Sequence, residues 1–272
     1  MSFLNKVITI FVISTILLFF DGPIVFVIWT SFRDYGAILA GQFFGFHYSL
    51  ANYFNVFFNP GYAFSKGLIN SILVTLFTTF MVLIISFPAA YALARFKISG
   101  SLSSYILSIR LLPPIVFAVP LLILLYMTGL NDTIIGLIIV YLAFNIPLAI
   151  FLLRSFIIEI PIEIEEAAII DGCSKFQTML RITFPLSKPG LVAAGILTFI
   201  MTWSEYLFAL LFTLKNAITI NVVASQFVTQ HTIRYGEIAA AMVIGMLPTV
   251  IFLSLIQKHL VKGLTFGAVK GA

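Results

Sequence analysis

Six long apolar stretches, near residues 7–31, 68–94, 104–127, 133–153, 191–213 and 238–259, follow one another along the chain with polar joints between them. A helix crosses a bilayer with about 20 mostly apolar residues. Within lipid, a lone span can satisfy its backbone only by being helical. The pattern therefore predicts an all-α membrane protein of six transmembrane helices. Only Thr128 to Asp132 part the third stretch from the fourth, so these two form a tight helical hairpin. The first stretch begins after Lys6 and resumes past Asp21-Gly22-Pro23 with no small-x-small cleavage pattern. It reads as a retained span rather than a secretion signal, and Asp21 is expected to mark a helix break there.

Lysine and arginine set the orientation. With the N-terminus inside, Lys6, Arg95, Lys97, Arg110, Arg154, Lys175, Arg181, Lys188, Lys258, Lys262 and Lys270 are cytoplasmic, against Arg33, Lys66, Lys215 and Arg234 outside. That imbalance favours both termini in the cytoplasm. Residues 33–66, with the run FGFHYSLANYFNVF, and residues 214–237, with their alternating Ile, Val and Thr, then form exterior segments that either close the bundle or meet an external partner.

Composition agrees. The 272 residues are 61% hydrophobic and 9% charged, where soluble domains carry about 25% charge. The net charge of +5 is spread over short loops rather than gathered on one face, so no nucleic-acid partner is expected. The single cysteine, Cys173, allows no internal disulfide. His47, His231 and His259 lack metal-ligand spacing. No nucleophile–base pair and no pair of acids set for hydrolysis is visible, so the chain is not expected to be an enzyme.

The longest polar run is EEAAIIDGCSKFQTMLRITFPLSKPG, from Glu165 to Gly190, inside the 154–190 loop between the fourth and fifth spans. Pro161 suits a helix start, and residues 162–170 are good helix material. Asp171-Gly172 is a stop, with Gly172 free to turn left-handed. Ser174 and Gln177 have capping-box spacing, and a second helix is expected to run to about Thr183 and halt at Pro185. Two short helices at a fixed bend would lie on the cytoplasmic surface. Ala167, Ala168 and Gly172 are small enough for another surface to approach. Glu166 and Asp171 flank the bend and can meet basic groups or helix N-termini. Phe176, Met179 and Leu180 have the spacing of an apolar stripe, able to anchor the helix in a partner's groove or to pack it on the bundle.

The spacing of Glu166-Ala167-Ala168, Gly172, Ile182 and Pro185 resembles the coupling loop of ATP-binding-cassette (ABC) importer permeases. The likeness extends through Asn70-Ser71, the run Ala90 to Gly100, Leu112-Pro113-Pro114, Asn145-Ile146-Pro147 and Trp203-Ser204-Glu205-Tyr206. It ends with Gln257, Val261-Lys262-Gly263-Leu264-Thr265 and Gly267-Ala268-Val269-Lys270-Gly271. This last run is similar to the sugar-importer branch, in particular its smaller, maltose-type permease subunit. Cys173 in place of alanine, Phe184 in place of leucine and Ser204 in place of asparagine depart from that pattern.

The resemblance implies a single transmembrane permease domain over residues 1–272, with the coupling loop at about 154–190 and a cytoplasmic tail at about 260–272. It implies a second, homologous permease subunit, two ATPase subunits and an extracytoplasmic solute-binding protein, in the plasma membrane of a prokaryote. It also implies no cofactor in this chain, ATP and Mg being bound by the partner ATPase. Glu166, Ala167, Ala168, Asp171, Gly172, Phe176, Ile182 and Pro185 would couple to that ATPase. Tyr141, Asn145, Trp203, Glu205 and Tyr206 are the candidates to line a sugar's path. Each has a structural alternative: packing for Tyr141 and Trp203, a carbonyl freed by Pro147 for Asn145, a hydrogen bond or salt bridge for Glu205. An ion-coupled secondary transporter would instead call for several acids deep in the spans and internal repeats, and only Asp21 and Glu205 qualify. An ABC permease for a non-sugar solute is the nearer alternative.

Overall fold

The computed structural model of the chain describes residues 3–268 except 46, 60, 97–104, 107, 109–111 and 228–232, with backbone alone at 3–4 and 256–268. Lys97, Arg110, His231 and residues 269–272 lie outside the described residues, as do the side chains of His259 and of the C-terminal run quoted above. Among the described residues there is no β-strand. The helices are α1 (Phe3–Ser31), α2 (Tyr35–Leu39), α3 (Ala51–Phe58), α4 (Phe64–Arg95), α5 (Ala118–Met127) and α6 (Ile134–Ile158). They continue as α7 (Ile162–Ile170), α8 (Lys175–Leu186), α9 (Lys188–Trp203), α10 (Leu207–Phe212), α11 (Ile220–Ser225) and α12 (Tyr235–Ala268).

Among the described residues four helices are long and apolar enough to cross a membrane, over Asn5–Ser31, Phe64–Arg95, Ile134–Ile158 and Tyr235–Leu255, and a fifth span results if α8 and α9, bent by 75°, are taken together. The expected third span is represented by the shorter apolar helix Pro114–Met127. The fifth, expected unbroken over 191–213, is interrupted at residues 204–206. No proline or glycine causes this. Asn221 Nδ2 donates to the carbonyls of Trp203 (2.8 Å) and Glu205 (3.0 Å) and holds the chain out of helical geometry.

The break expected at Asp21 does not occur. Helix α1 runs unbroken through Asp21, Gly22 and Pro23, and Asp21 stands on its exposed surface. Proline removes one backbone bond from a membrane helix, which such helices tolerate; α4, α6 and α12 likewise carry Pro88, Pro147 and Pro248 in their interiors.

The chain sorts into two compact units, residues 1–65 with 223–248, and residues 66–222 with 249–272. In the first, Asn52 Nδ2 donates to the carbonyls of Ser31 (2.9 Å) and Arg33 (2.7 Å), fixing α3 to the turn after α1. Glu237 accepts from Tyr62 (2.9 Å), Asn55 (3.3 Å) and Arg234 (3.1 Å). Burial and this carboxylate raise the Tyr62 phenol above its ordinary range.

In the second unit one apolar cluster joins Val82, Phe87 and Tyr91 of α4 to Ile150, Leu153 and Ile157 of α6, with Met179 of α8 and Ala194 of α9. Another joins Val74 and Leu125 to Leu137, Tyr141, Phe208 and Phe212. In lipid, helices gain little from burying apolar surface against one another, so close packing and small polar residues dominate. The buried face of α4 accordingly carries Ser71, Thr75, Thr78 and Ser86. At Gly190 a Cβ would fall 2.6 Å from the Phe156 ring, so α9 crosses α6 only because that side chain is missing.

Candidate functional site

The 154–190 loop folds as two short helices at a fixed bend. Helix α7 ends with a pair of bonds typical of a glycine stop: Cys173 N donates to Ala168 O (2.9 Å) and Gly172 N to Ile169 O (3.0 Å). Gly172 has φ +93°, and no atom lies within 4 Å of where its Cβ would be. The glycine is therefore required by backbone conformation and not by crowding. Helix α8 opens with the expected capping box, Gln177 N to Ser174 Oγ at 3.3 Å and Ser174 N to Gln177 Oε1 at 2.9 Å.

The second helix does not halt at Pro185. Met179–Thr183 forms a wide π turn, and the helix continues through Phe184–Leu186. The missing N–H of Pro185 falls where the wide turn has already interrupted the regular ladder. The chain bends only at Ser187.

Outward and inward faces are distinct. Glu166, Ala167, Asp171, Gly172, Phe176 and Pro185 are exposed, Ile182 is half-buried and Ala168 is buried. The Phe176, Met179, Leu180 stripe is split: Met179 (7% exposed) packs into the apolar cluster, while Phe176 (66%) and Leu180 face out. The most exposed apolar group of the loop is Ile170, at 86%. It follows the Glu-Ala-Ala run that drew the sequence reading, which passed over it.

Directly beside Glu166, Glu165 turns inward and is buried. Its Oε1 accepts from Arg95 Nε (2.9 Å) and Thr183 Oγ1 (2.9 Å), and its Oε2 from the Tyr91 hydroxyl (3.2 Å). Arg95 Nη2 also donates to the carbonyls of Ile157 and Ile160, both at 2.9 Å. These carbonyls lie at the C-terminal end of α6 and in the joint before α7, where backbone acceptors lack helical partners. An arginine at the end of one apolar span and an acid in the polar loop were visible as types, but no spacing rule pairs residues so far apart.

At the opposite end of the second unit, Asp132 (φ +55°) sits in the α5–α6 hairpin. Its carboxylate accepts the backbone N–H groups of Leu214, Lys215, Asn216 and Ala217, at 2.9–3.2 Å. Burial works against the charged form, but these four donors prevail and hold the carboxyl below its ordinary range. Asn70 Nδ2 donates to the carbonyls of Asn216 and Ile218 (2.9 Å each), and Ser71 Oγ accepts from Ile220 N (2.9 Å). Asn70-Ser71 thus pins the segment after α10.

The five path candidates come together around the α9–α10 break. The Tyr141 hydroxyl donates to Glu205 Oε2 (2.6 Å), and Glu205 caps α10 through Phe208 N (2.8 Å) and Ala209 N (3.2 Å). Asn145 Nδ2 donates to Tyr141 O (2.8 Å), one turn back, and to Thr202 Oγ1 (3.4 Å). The carbonyl freed by Pro147 belongs to Ala143, so Asn145 does not serve it. Trp203 is buried, its ring parallel to Phe199 (6.1 Å between centroids), which stacks on Phe252 (3.8 Å). Tyr206 is the most exposed aromatic of the five, at 40%.

Comparison with known proteins gives a consistent picture. The family model described as "Binding-protein-dependent transport system inner membrane component" matches residues 82–266. The chain is 37% identical to the trehalose transport system permease protein SugB of Mycobacterium tuberculosis over 254 residues, covering 92% of each chain. It is 35% identical to the trehalose/maltose transport system permease protein MalG of Thermococcus litoralis, over 92% of this chain and 91% of that one. The fold matches a chain in the crystal structure of a bacterial ABC transporter involved in the import of the acidic polysaccharide alginate, with TM-score 0.79, 23% identity and coverage of 94% and 96%.

Proposed function

The chain belongs to the family of binding-protein-dependent transport system inner-membrane components, and we propose that it is the permease subunit of an ATP-driven importer that brings a sugar into the cytoplasm. The observation that carries this reading is the loop of α7 and α8. Its acidic and apolar outward face, running from Glu166 through Ile170 to Phe176, is held on a buried polar anchor. A surface of that kind fits a groove on a separate ATPase. The sugar class rests on the relatives named for trehalose and maltose transport.

In this reading the chain crosses the plasma membrane six times as a single permease domain with both termini inside. Helix α5 with the residues before it is the third span, and α9 with α10 the fifth. A second, homologous permease, two ATPase subunits and an extracytoplasmic solute-binding protein complete the complex. ATP and Mg belong to the ATPase, so this chain performs no catalysis. Closure of the ATPase pair on ATP would push on the outward face of α7 and α8 and turn the pore outward. Hydrolysis would reset it. Tyr206 would meet the solute, with Tyr141, Asn145, Trp203 and Glu205 framing it.

The test is purification of the tagged chain from its native membrane in mild detergent, with its co-purifying subunits identified. Recovery of an ATPase and a second permease, and uptake of a sugar by the reconstituted complex only with its binding protein, is the expected result. Uptake of a non-sugar solute would remove the sugar assignment. Absence of any ATPase would overturn the reading.

A further inference from the structure

Resting on the importer reading, we propose that Arg95 is the positioning residue that makes the coupling helices α7 and α8 move as one body with the cytoplasmic ends of α4 and α6. An ATPase pushing on the loop can drive the spans only if the loop does not slide against them. Packing alone resists this weakly, because α7 contributes little to the apolar clusters: of its residues, only Glu165 and Ala168 are buried. The polar cluster supplies what packing does not.

The geometry shows why an arginine does this. From the last residue of α4, one guanidinium reaches three acceptors in different directions: Nε to Glu165 on α7, and Nη2 to Ile157 at the end of α6 and to Ile160 in the joint before α7. The flat, forked donor set of arginine suits this; the single ammonium point of lysine does not. Glu165 spreads the connection further, to Tyr91 one turn earlier on α4 and to Thr183 in the π turn of α8. The side chains of the pair are 10% and 4% exposed, so water does not compete for these bonds. A cation over a ring adds a second tie between α8 and the residue after α4, with Lys175 Nζ 5.1 Å from the Phe96 centroid. All of these residues lie within one compact unit. The outward neighbour Glu166 remains free for a partner, so two adjacent acids have separate tasks: one holds the loop, the other is offered outward.

The test uses the complete complex in lipid nanodiscs, with spin labels at Ile84→Cys on α4 and Glu163→Cys on α7 in a Cys173→Ser background. With Arg95 present, the label distance is expected to be a single narrow population that stays the same without nucleotide and with ATP and vanadate. Arg95→Met is expected to broaden or split it and to lower sugar uptake about tenfold, while the amount of ATPase recovered with the chain is unchanged. Arg95→Lys should give an intermediate width. If Arg95→Met does not fold, Arg95→Met with Glu165→Leu removes both charges, a change that buried pairs often tolerate. This double variant should still show the broadened distance and reduced uptake. Native-like distances and uptake in a folded Arg95 variant, or a distance in the native chain that changes with nucleotide, would overturn the proposal. Failure of the importer reading looks different, since no ATPase would accompany the native chain. The label distances with and without Arg95 in the chain alone would then still decide whether the joint is rigid.

Discussion

Tyr141 and Glu205 are joined by a 2.6 Å hydrogen bond that runs from the N-terminal half of α6 to the break between α9 and α10. The same carboxylate closes the first turn of α10 by accepting two backbone N–H groups. An acid within an apolar stretch is costly, and here its three donors answer that cost. The pair links two helices and fixes the place where the chain leaves helical geometry. Tyr206, next in sequence, is presented by this frame.

Glu205→Ala removes the tyrosine's acceptor and both caps, and is expected to destabilise the chain by about 3 kcal/mol. Glu205→Gln keeps an oxygen for α10 and should cost about 1 kcal/mol. Thermal unfolding in detergent measures both. Uptake by Glu205→Gln should keep its native KM, whereas Tyr206→Ala should raise KM with little change in unfolding temperature. A raised KM in Glu205→Gln without loss of stability would make Glu205 itself a solute contact.

Gly172 tests the bend between α7 and α8. Because its Cβ site is empty, the cost of substitution is set by φ +93° alone. Gly172→Ala should cost about 1–2 kcal/mol, Gly172→Asn less, and Gly172→Val more, since branched residues avoid this region. ATPase recovered with the chain should fall in the same order. Equal loss for Asn and Val would mean that the outward surface at this point, and not its backbone, is what matters.

Asp132 makes stability depend on acid. Its folded carboxyl is held below the ordinary range, so it contributes stability above the unfolded value, about 3.9. That contribution is lost as pH falls through the lower, folded value. Asp132→Asn tolerates the positive φ but forfeits the charge, and is expected to cost about 1 kcal/mol at neutral pH, given the solvent near these bonds. The gap in unfolding temperature between the two proteins should be constant from pH 7 to about 5 and shrink below about 4. A gap that does not depend on pH would assign the effect to shape rather than charge.

What the sequence disclosed follows from the range of each interaction. The capping box of Ser174 and Gln177 and the stop at Gly172 are local, and spacing alone identifies them. Long apolar runs disclosed α1, α4, α6 and α12 for the same reason. The break after Trp203 depends on Asn221 and Glu205, neither of which is a helix breaker, so the stretch 191–213 reads as continuous. The anchor of Arg95 on Glu165 and the seat of Asp132 under residues 214–217 join distant segments, and no period reports them. Phe176, Met179 and Leu180 share i, i+3, i+4 spacing, yet Met179 packs inward while Phe176 and Leu180 face out, because positions i+3 and i+4 lie about 100° apart around a helix and the stripe is wide enough to be divided. The five path candidates lie together around the break after Trp203, but the bonds that join them, such as Tyr141 to Glu205, link distant segments and no spacing reports them.

Ile170 and Met179 separate the outward face of the 154–190 loop from its anchor. Ile170 is 86% exposed and Met179 is packed among Tyr91, Leu153 and Ile157. An exposed position away from caps and cores changes stability by no more than about 0.5 kcal/mol, so Ile170→Asp should leave the unfolding temperature of the chain in place. If the ATPase groove receives this side chain, a buried apolar anchor is replaced by an unpaired charge, and the ATPase should be lost from the purified complex. Met179→Ala opens a cavity in the cluster and should cost about 2–5 kcal/mol, lowering the unfolding temperature together with ATPase recovery. Retention of the ATPase by a folded Ile170→Asp chain would move the docking surface away from the end of α7, toward Phe176 and Leu180 on α8.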